Sequence, residues 1–475
     1  MQLHGKKVLV VGAGKSGLAV SRFLAAKGAR VTLTDRKGGA SFNPPLASLV
    51  PPEVELVLGH YPVMREGDFD LVVTSPGVPW TAPPLVRARE LGLPVTGELE
   101  LAFHFARAPV VAITGTNGKT TTTSLVGRIF LDAGVRTLVA GNIGLPLIEG
   151  VEAYGPGDLI VVEVSSFQLE TVRHFRPHVA AILNITPDHL DRHGTMEGYV
   201  QAKARIFAGQ GEGDYTVLNY DDPITRELAG QCPGRVIFFS RQHNLEAGVF
   251  VRDGQIVIRD GGALVSVMPA REVAIPGGHN LENALAAVAC ARVRGIGTEQ
   301  LAHTLRTFSG VPHRLEFVAE INGVSYINDS KGTNPEASMK ALEAYDRPIV
   351  LLAGGKNKGN DFTAFARRVK EKVRVLVVLG QCAAEMERAA RAAGVEDIRR
   401  AADFREAVLI AHRAARPGDV VLLSPACASW DMFRSYEERG DLFKQIVREL
   451  ARHSPEHSFT PDVSGLIDTT GFTKN

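Results

Sequence analysis

The chain has 475 residues, 45% of them hydrophobic and 22% charged, and its 53 Lys and Arg against 52 Asp and Glu leave a net charge of +1. That length predicts about three domains, and so even a balance supplies no basic surface for a polyanion, so no nucleic-acid partner is expected. Cys232, Cys290, Cys382 and Cys427 are far apart with no C-x-x-C spacing, and no apolar run approaches the roughly 18 residues of a membrane span, which predicts a reducing, cytoplasmic setting.

Val8 to Val11 predicts a buried strand that stops at Gly12, Gly14 and Gly17 in G-x-G-x-x-G spacing, and an apolar helix then runs towards Gly28. This is a Rossmann-like opening. Lys6 and Lys7 ahead of the run imitate a signal peptide, but the run is too short for one and enters a glycine loop. The next strand, Val31 to Thr34, ends at Asp35, the acidic position that meets a ribose hydroxyl in dinucleotide-binding folds. Alone, the pattern proposes a nicotinamide-dependent dehydrogenase. It fits equally a loop that holds the diphosphate of a UDP-linked substrate, with Asp35 or Arg36 facing the base or sugar. A further strand, Phe69 to Thr74, runs into S-P-G-V-P, Ser75 to Pro79, which is either a rigid turn or a ligand loop at the C-terminal edge of a sheet. These elements make a first domain over residues 1–96.

A central domain over 97–309 opens with a strand at Val110 to Ile113, then G-T-N-G-K-T-T, then a helix whose Leu125, Val126, Ile129 and Phe130 share one face, with Gly134 as its C-cap. A helix N-terminus offers unpaired N–H groups and partial positive charge, so phosphate oxygens can sit there. Gly115 and Gly118 let the backbone approach, Lys119 reaches the outer phosphates and the Thr120 hydroxyl is a ligand for Mg2+. The loop is a shortened P-loop, because Ile113 stands where the full pattern has its first glycine. Glu163 lies among apolar residues of the strand Asp158 to Val164, and a buried carboxylate is costly unless paired, so it reads as a Mg2+ ligand or half of a structural ion pair. In N-I-T-P-D-H-L-D-R-H-G-T, Asn184 to Thr195, His189 is a candidate for a second metal or for substrate, while Asp188 and Asp191 orient neighbours. Lys203 reads from its own surroundings as a solvated helix charge. Asn280 and Asn283, three apart on an alanine-rich helix, suit the edge of a purine, with N-capping by Asn280 as the alternative.

V-P-H-R-L-E, Val311 to Glu316, reads as a hinge into a third α/β domain over 310–452, with strands at Val324 to Ile327, Ile349 to Ala353, Val373 to Leu379 and Val420 to Leu423. Its strand-end loops hold the polar residues: N-D-S-K-G-T-N (Asn328 to Asn334), G-G-K-N-K-G-N-D-F (Gly354 to Phe362) and S-P-A-C-A-S-W-D-M-F (Ser424 to Phe433). Lysines and hydroxyls gathered on one edge suit a small carboxylate-bearing substrate. The tail, 453–475, has few apolar residues and is expected to be disordered.

Taken together, these loops resemble the Mur ligase family of peptidoglycan synthesis over all three domains. N-D-S-K-G-T-N combined with S-P-A-C-A-S-W-D-M-F is similar to its D-glutamate-adding branch. The resemblance implies three α/β domains: a Rossmann-like N-terminal domain, a central P-loop ATPase-like domain and a C-terminal Rossmann-like domain. It implies a cytoplasmic, monomeric ligase that uses ATP and two Mg2+ ions to join D-glutamate to UDP-N-acetylmuramoyl-L-alanine through an acyl phosphate. By motif, Lys119, His189 and Lys203 are then catalytic. Gly115, Thr116, Asn117, Gly118, Lys119, Thr120, Thr121, Asn280, Asn283, Arg314 and Asp329 meet ATP. Thr120, Glu163, His189 and a carbamylated Lys203 serve the metals. Ser16, Asp35, Arg36, Ser75, Pro76, Gly77 and Asn142 meet the UDP-sugar, and Lys331, Thr333, Lys358, Ser429 and Tyr436 meet D-glutamate. Two positions depart from the family pattern: Trp430 is bulkier than Leu, and Tyr436 replaces Phe. Other readings remain: a ligase of the same family with another amino acid, a folylpolyglutamate synthase, a dehydrogenase built on Gly12 to Gly17, or a protein that uses ATP as a switch.

Overall fold

The computed structural model describes residues 1–42, 44–357, 359–452 and 457–459. Among these the strands form three sheets. One compact unit is Met1–Val273 with Gly278–Phe308, and holds the first two sheets. The other is Ala274–Gly277 with the chain from Ser309 onward, and holds the third. Each sheet is flanked by helices, so the chain is a three-domain α/β protein. None of the described helices is long and apolar enough to cross a membrane.

The first sheet is wholly parallel, in the order Glu55–Leu58, Arg30–Asp35, Lys7–Val11, Leu71–Thr74, Val95–Gly97. Lys7–Val11 is central because Val8 to Val11 are apolar without a break and are buried on both faces. The chain leaves it first to one side and then to the other. That reversal puts the loops at Gly12 and Ser75 side by side at the C-terminal edge, where open α/β sheets take their ligands.

The second sheet runs Thr137–Gly141, Leu159–Glu163, Val110–Thr114, Val179–Ile182, Tyr215–Asn219, Arg235–Ser240, Gly248–Arg252, Gln255–Asp260 and Ala263–Pro269. It is parallel as far as Gly248–Arg252. Register pairs Ile113 with Glu163 and Thr114 with Ile182, so the glycine loop, Glu163 and the segment from Leu183 leave the same edge. The helix after the loop, Lys119–Asp132, buries Leu125, Val126, Ile129 and Phe130. It closes on Ala133, one residue before the expected Gly134 cap, and Gly134 takes the left-handed turn. In this sheet Thr137–Gly141 and the five strands from Tyr215–Asn219 to Ala263–Pro269 were not predicted, and the last two of these differ in direction. They are antiparallel hairpins closed by Asp253-Gly254 and Gly261-Gly262, turns that need positive φ and so favour these residues.

The third sheet runs Ile398–Arg400, Val373–Leu379, Ile349–Gly354, Val420–Leu423, Val324–Asn328, Glu316–Ile321 and His457–Phe459. Its first five strands are parallel and the last two antiparallel. The expected hinge is a tight turn, with Val311 bridged to Arg314 and with His313 and Leu315 at positive φ, leading into the unpredicted strand Glu316–Ile321. Of the tail expected to be disordered, 457–459 instead pair with that strand, whose free edge offers a ladder of backbone groups. The remainder, 453–456 and 460–475, lies outside the described residues.

Candidate functional site

The glycine loop turns from strand to helix through Gly115 and Gly118, at φ 155° and 82°. A Cβ on Gly118 would lie 2.2 Å from the Asn283 amide oxygen, so backbone and helix meet there with no room for a side chain. Lys119 Nζ folds back to donate to the carbonyls of Gly115 and Thr116, both at 2.9 Å. Lys203 Nζ donates to the same Gly115 carbonyl, also at 2.9 Å, and stands 4.6 Å from the centre of the Tyr199 ring. It is not the solvated charge its local sequence suggests. Only 2% of it is exposed, and burial, with Lys119 adding to it, pushes its amine down to about 7. A helix N-terminus with Lys119 beside it suits an anion.

Glu163 ends its strand buried; Oε1 accepts from Asn142 Nδ2 at 2.8 Å, while Oε2 is buried with no hydrogen-bond partner among the described residues. The ion-pair alternative is therefore not what the fold builds. A carboxylate oxygen so placed fits a cation. Thr120 and Thr121 are buried in the first helical turn. Asn117 N–H and C=O are held by the Asn184 amide at 2.8 and 3.2 Å. Asn280 lies inside the helix Gly278–Val293 and does not cap it; its oxygen accepts from Asn283 Nδ2 at 3.2 Å, and the Asn283 oxygen accepts from Thr122. His189 is largely exposed at φ 52°, 3.6 Å from Asp188 and against the Phe167 ring at 4.8 Å. No group of three or more His, Cys, Asp or Glu among the described residues is arranged to hold a metal ion by itself.

In the first domain Asp35 grips protein: its oxygens accept from Ala13 N–H and Lys37 N–H, both at 2.8 Å, which fixes the glycine loop. Ser16 is partly exposed at the start of the helix Lys15–Ala26, and Arg36 is exposed. Ser75 Oγ donates to Gly12 C=O at 2.9 Å, which joins the two loops. The Pro76 and Val78 carbonyls are bound by the Arg192 guanidinium at 3.1 and 3.2 Å, and Arg192 is itself paired with Glu170. Thus Pro76 and Gly77 are strapped to the segment that carries His189. Sequence reasoning missed Arg192, Tyr199 and Asn184 as individual residues, since nothing local to them points across the fold.

In the other unit, Asp329 is buried, accepts from Ser424 Oγ at 2.6 Å and from Leu315 N–H at 3.3 Å, and is pushed up to about 6 by burial. Arg314 is exposed. Lys331 Nζ stands 5.7 Å from the centre of the Tyr436 ring, and Thr333 N–H donates to Lys331 C=O at 2.9 Å. Ser429 is buried. Lys358 lies outside the described residues. Beneath these loops sits a residue the sequence did not flag. Arg439, 1% exposed, donates to Ser330 Oγ at 2.9 Å, Ser330 C=O at 2.8 Å and Cys427 C=O at 3.3 Å, tying the Lys331 loop to the Ser429 loop.

Known proteins resemble the chain in three stretches and as a whole. The model described as "Mur ligase MurD-like, N-terminal domain" matches residues 6–97, "Mur ligase middle domain" matches 113–291, and "Mur ligase, glutamate ligase domain" matches 313–427. A UDP-N-acetylmuramoylalanine--D-glutamate ligase of Pelotomaculum thermopropionicum is 62% identical over 447 residues, 94% of this chain and 98% of that one. A ligase of the same name from Thermoanaerobacter pseudethanolicus is 49% identical over 454 residues, 95% of this chain and 100% of that one. Among solved structures, UDP-N-acetylmuramate-alanine ligase MurC of Thermotoga maritima aligns with a TM-score of 0.58 at 19% identity, over 94% of this chain and 100% of that one, a likeness of fold.

Proposed function

The chain belongs to the Mur ligase family, and from that premise we propose that it adds D-glutamate to UDP-N-acetylmuramoyl-L-alanine with ATP, as an ADP-forming amide ligase of cytoplasmic peptidoglycan precursor synthesis. The observation that carries the reading is the near full-length identity to D-glutamate ligases, which takes in the loops Asn328 to Asn334 and Ser424 to Phe433.

In this reading the alanyl carboxylate attacks the γ-phosphorus of ATP and ADP leaves. The D-glutamate amine then attacks the acyl carbon, phosphate leaves and a proton is lost from nitrogen. No enzyme nucleophile is needed, so the work is positioning and charge neutralisation. The glycine loop Gly115–Gly118 and Thr120–Thr121 would cradle the phosphates, and Lys119 would turn from its own loop carbonyls to the γ-phosphate. Asn280 and Asn283 would meet the adenine end, and Arg314 and Asp329 are further ATP positions by resemblance. Ser16, Asp35, Arg36, Ser75–Gly77 and Asn142 are assigned to the UDP-sugar. Asp35 also shapes the loop, since its two oxygens hold the Ala13 and Lys37 N–H groups. Lys331, Thr333, Lys358, Ser429 and Tyr436 are assigned to D-glutamate.

Thr120, Glu163, His189 and a carbamylated Lys203 would hold Mg2+, two ions in this reading, and the metal would neutralise phosphate charge when bound. The unpartnered Glu163 Oε2 supports this. Carbamylation adds CO2 to a neutral amine with loss of one proton, and burial pushes the Lys203 amine down to about 7, so that much of it is neutral at that pH. The product is an anion where an ammonium stood. A monomer is the working unit in this reading. The test is phosphate release from ATP with UDP-N-acetylmuramoyl-L-alanine, expected with D-glutamate and absent without it. Turnover without amino acid would support a nucleotide switch instead.

A further inference from the structure

Cys382 and Cys427 are 45 residues apart in the chain, yet the fold brings their sulfur atoms to 3.0 Å, both buried. Cys382 is the N-cap of the ten-residue helix Ala383–Ala392, whose partial positive charge favours a thiolate. Cys427 lies in the loop that carries Ser429. The lysine loop is bonded to both segments: Cys382 N–H donates to Gly355 C=O at 2.9 Å, and Lys356 and Ala428 exchange backbone hydrogen bonds at 2.9 and 3.1 Å. Arg439 holds the Cys427 carbonyl from the other side.

We propose that Cys382 and Cys427 form a reversible dithiol–disulfide couple that weakens D-glutamate binding when oxidised, an inference that rests on the function proposed above for these loops. The oxidant is hydrogen peroxide, small enough to reach a buried pair. The Cys382 thiolate attacks one peroxide oxygen, the O–O bond breaks and hydroxide leaves, taking a proton to become water, which makes Cys382 a sulfenic acid. Cys427 Sγ attacks that sulfur, the S–O bond breaks, and the departing hydroxide takes the Cys427 proton. Two thiols and one peroxide thus give one disulfide and two waters. The hydrogen bond from Cys427 holds the Cys382 thiol below its ordinary value and pushes Cys427 above its own, which assigns attack to Cys382. Burial pushes Cys232 and Cys290 up to about 11 and about 12, so they stay reduced. A covalent S–S bond is about 1 Å shorter than the present separation. Closing it draws the Ser429 loop towards the helix, across the lysine loop.

The experiment is graded hydrogen peroxide on the full chain, with thiol titration, peptide mapping by mass spectrometry, and kinetics before and after dithiothreitol. Expected is loss of two of the four thiols in one step and a peptide linking Cys382 to Cys427. KM for D-glutamate should rise roughly tenfold, with KM for ATP within about twofold, all reversed by dithiothreitol. Cys382→Ser should abolish both the link and the KM change, while Cys232→Ser should leave them intact. Four surviving thiols, a link between other cysteines, or a 382–427 disulfide with unchanged KM would each overturn the proposal. Peptide mapping needs no turnover, so a reduced enzyme inactive with D-glutamate would refute the function while the mapping still judges the couple.

Discussion

Lys119 and Lys203 meet at one carbonyl but are held there by different physics, and substitutions separate them. Lys119 is assigned to phosphate charge and is only partly buried, so Lys119→Ala should lower kcat/KM by on the order of 10²–10³ with little change in the melting temperature. An unfolded variant, or normal turnover with unchanged ATP affinity, would contradict that role. For Lys203, the proposed carbamate requires a neutral amine. Its amine, pushed down to about 7, becomes an ammonium below that pH and cannot take up CO2. Wild-type activity should therefore fall on CO2 depletion, more at pH 6.5 than at pH 8, and return with bicarbonate. Lys203→Ala should be inactive with or without it, and a wild type indifferent to CO2 would exclude the carbamate. Glu98 is a third case, away from the chemistry. It is buried, Oε1 accepts from Ile148 N–H at 2.9 Å, and burial pushes its carboxyl up to about 7. The folded chain thus keeps a proton that the unfolded chain releases near 4.5. Stability then falls as pH rises from about 4.5 to 7, by at most about 1.4 kcal/mol per unit. Thermal melts of wild type and Glu98→Gln should diverge from pH 5 to pH 8, the wild type losing; parallel curves would show that Glu98 ionises freely.

The central parallel strands, such as Lys7–Val11, Val110–Thr114 and Ile349–Gly354, and the two glycine loops were legible because buried strands are continuous apolar runs and loops that must approach a phosphate need glycine, whereas the parallel strands Glu55–Leu58, Thr137–Gly141, Tyr215–Asn219 and Arg235–Ser240 were not predicted. The antiparallel extension Gly248–Pro269 was missed although Asp253-Gly254 and Gly261-Gly262 are hairpin signals, because its strands are only partly apolar and were never set against a turn. Strand Glu316–Ile321 was hidden in the same way by the polar turn before it. Candidate residues at strand ends could be read, whereas those that act across the fold could not. Arg192 and Arg439 look like surface charges in sequence, and only tertiary contact reveals that each holds a loop carbonyl. Lys203 was a candidate only through the family resemblance, since burial of one helical lysine leaves no local trace. At the phosphate loop the element can be tested directly. Gly118→Ala combines strained φ with a Cβ overlapping the Asn283 oxygen, so it should raise KM for ATP about tenfold or more and cost stability on the order of 1 kcal/mol. Unchanged ATP affinity would mean that Gly118 is replaceable and that the loop geometry does not govern nucleotide binding.

For the whole molecule, the assigned work falls mainly to one sheet each: UDP-sugar to the first, ATP to the second and amino acid to the third. Fold alone does not choose the amino acid, because ligases with other substrates share it. The choice is assigned in this proposal to the third-sheet loops, where Arg439 donates to Ser330 and Ser424 to Asp329. Trp430 is 63% exposed, so its bulk relative to Leu is accommodated at the surface. The most direct measurement is phosphate release from ATP with UDP-N-acetylmuramoyl-L-alanine, comparing D-glutamate with L-glutamate, L-alanine and a diamino acid. Release with D-glutamate alone is the predicted result. Release with one of the others in its place would contradict the assignment of the third-sheet loops.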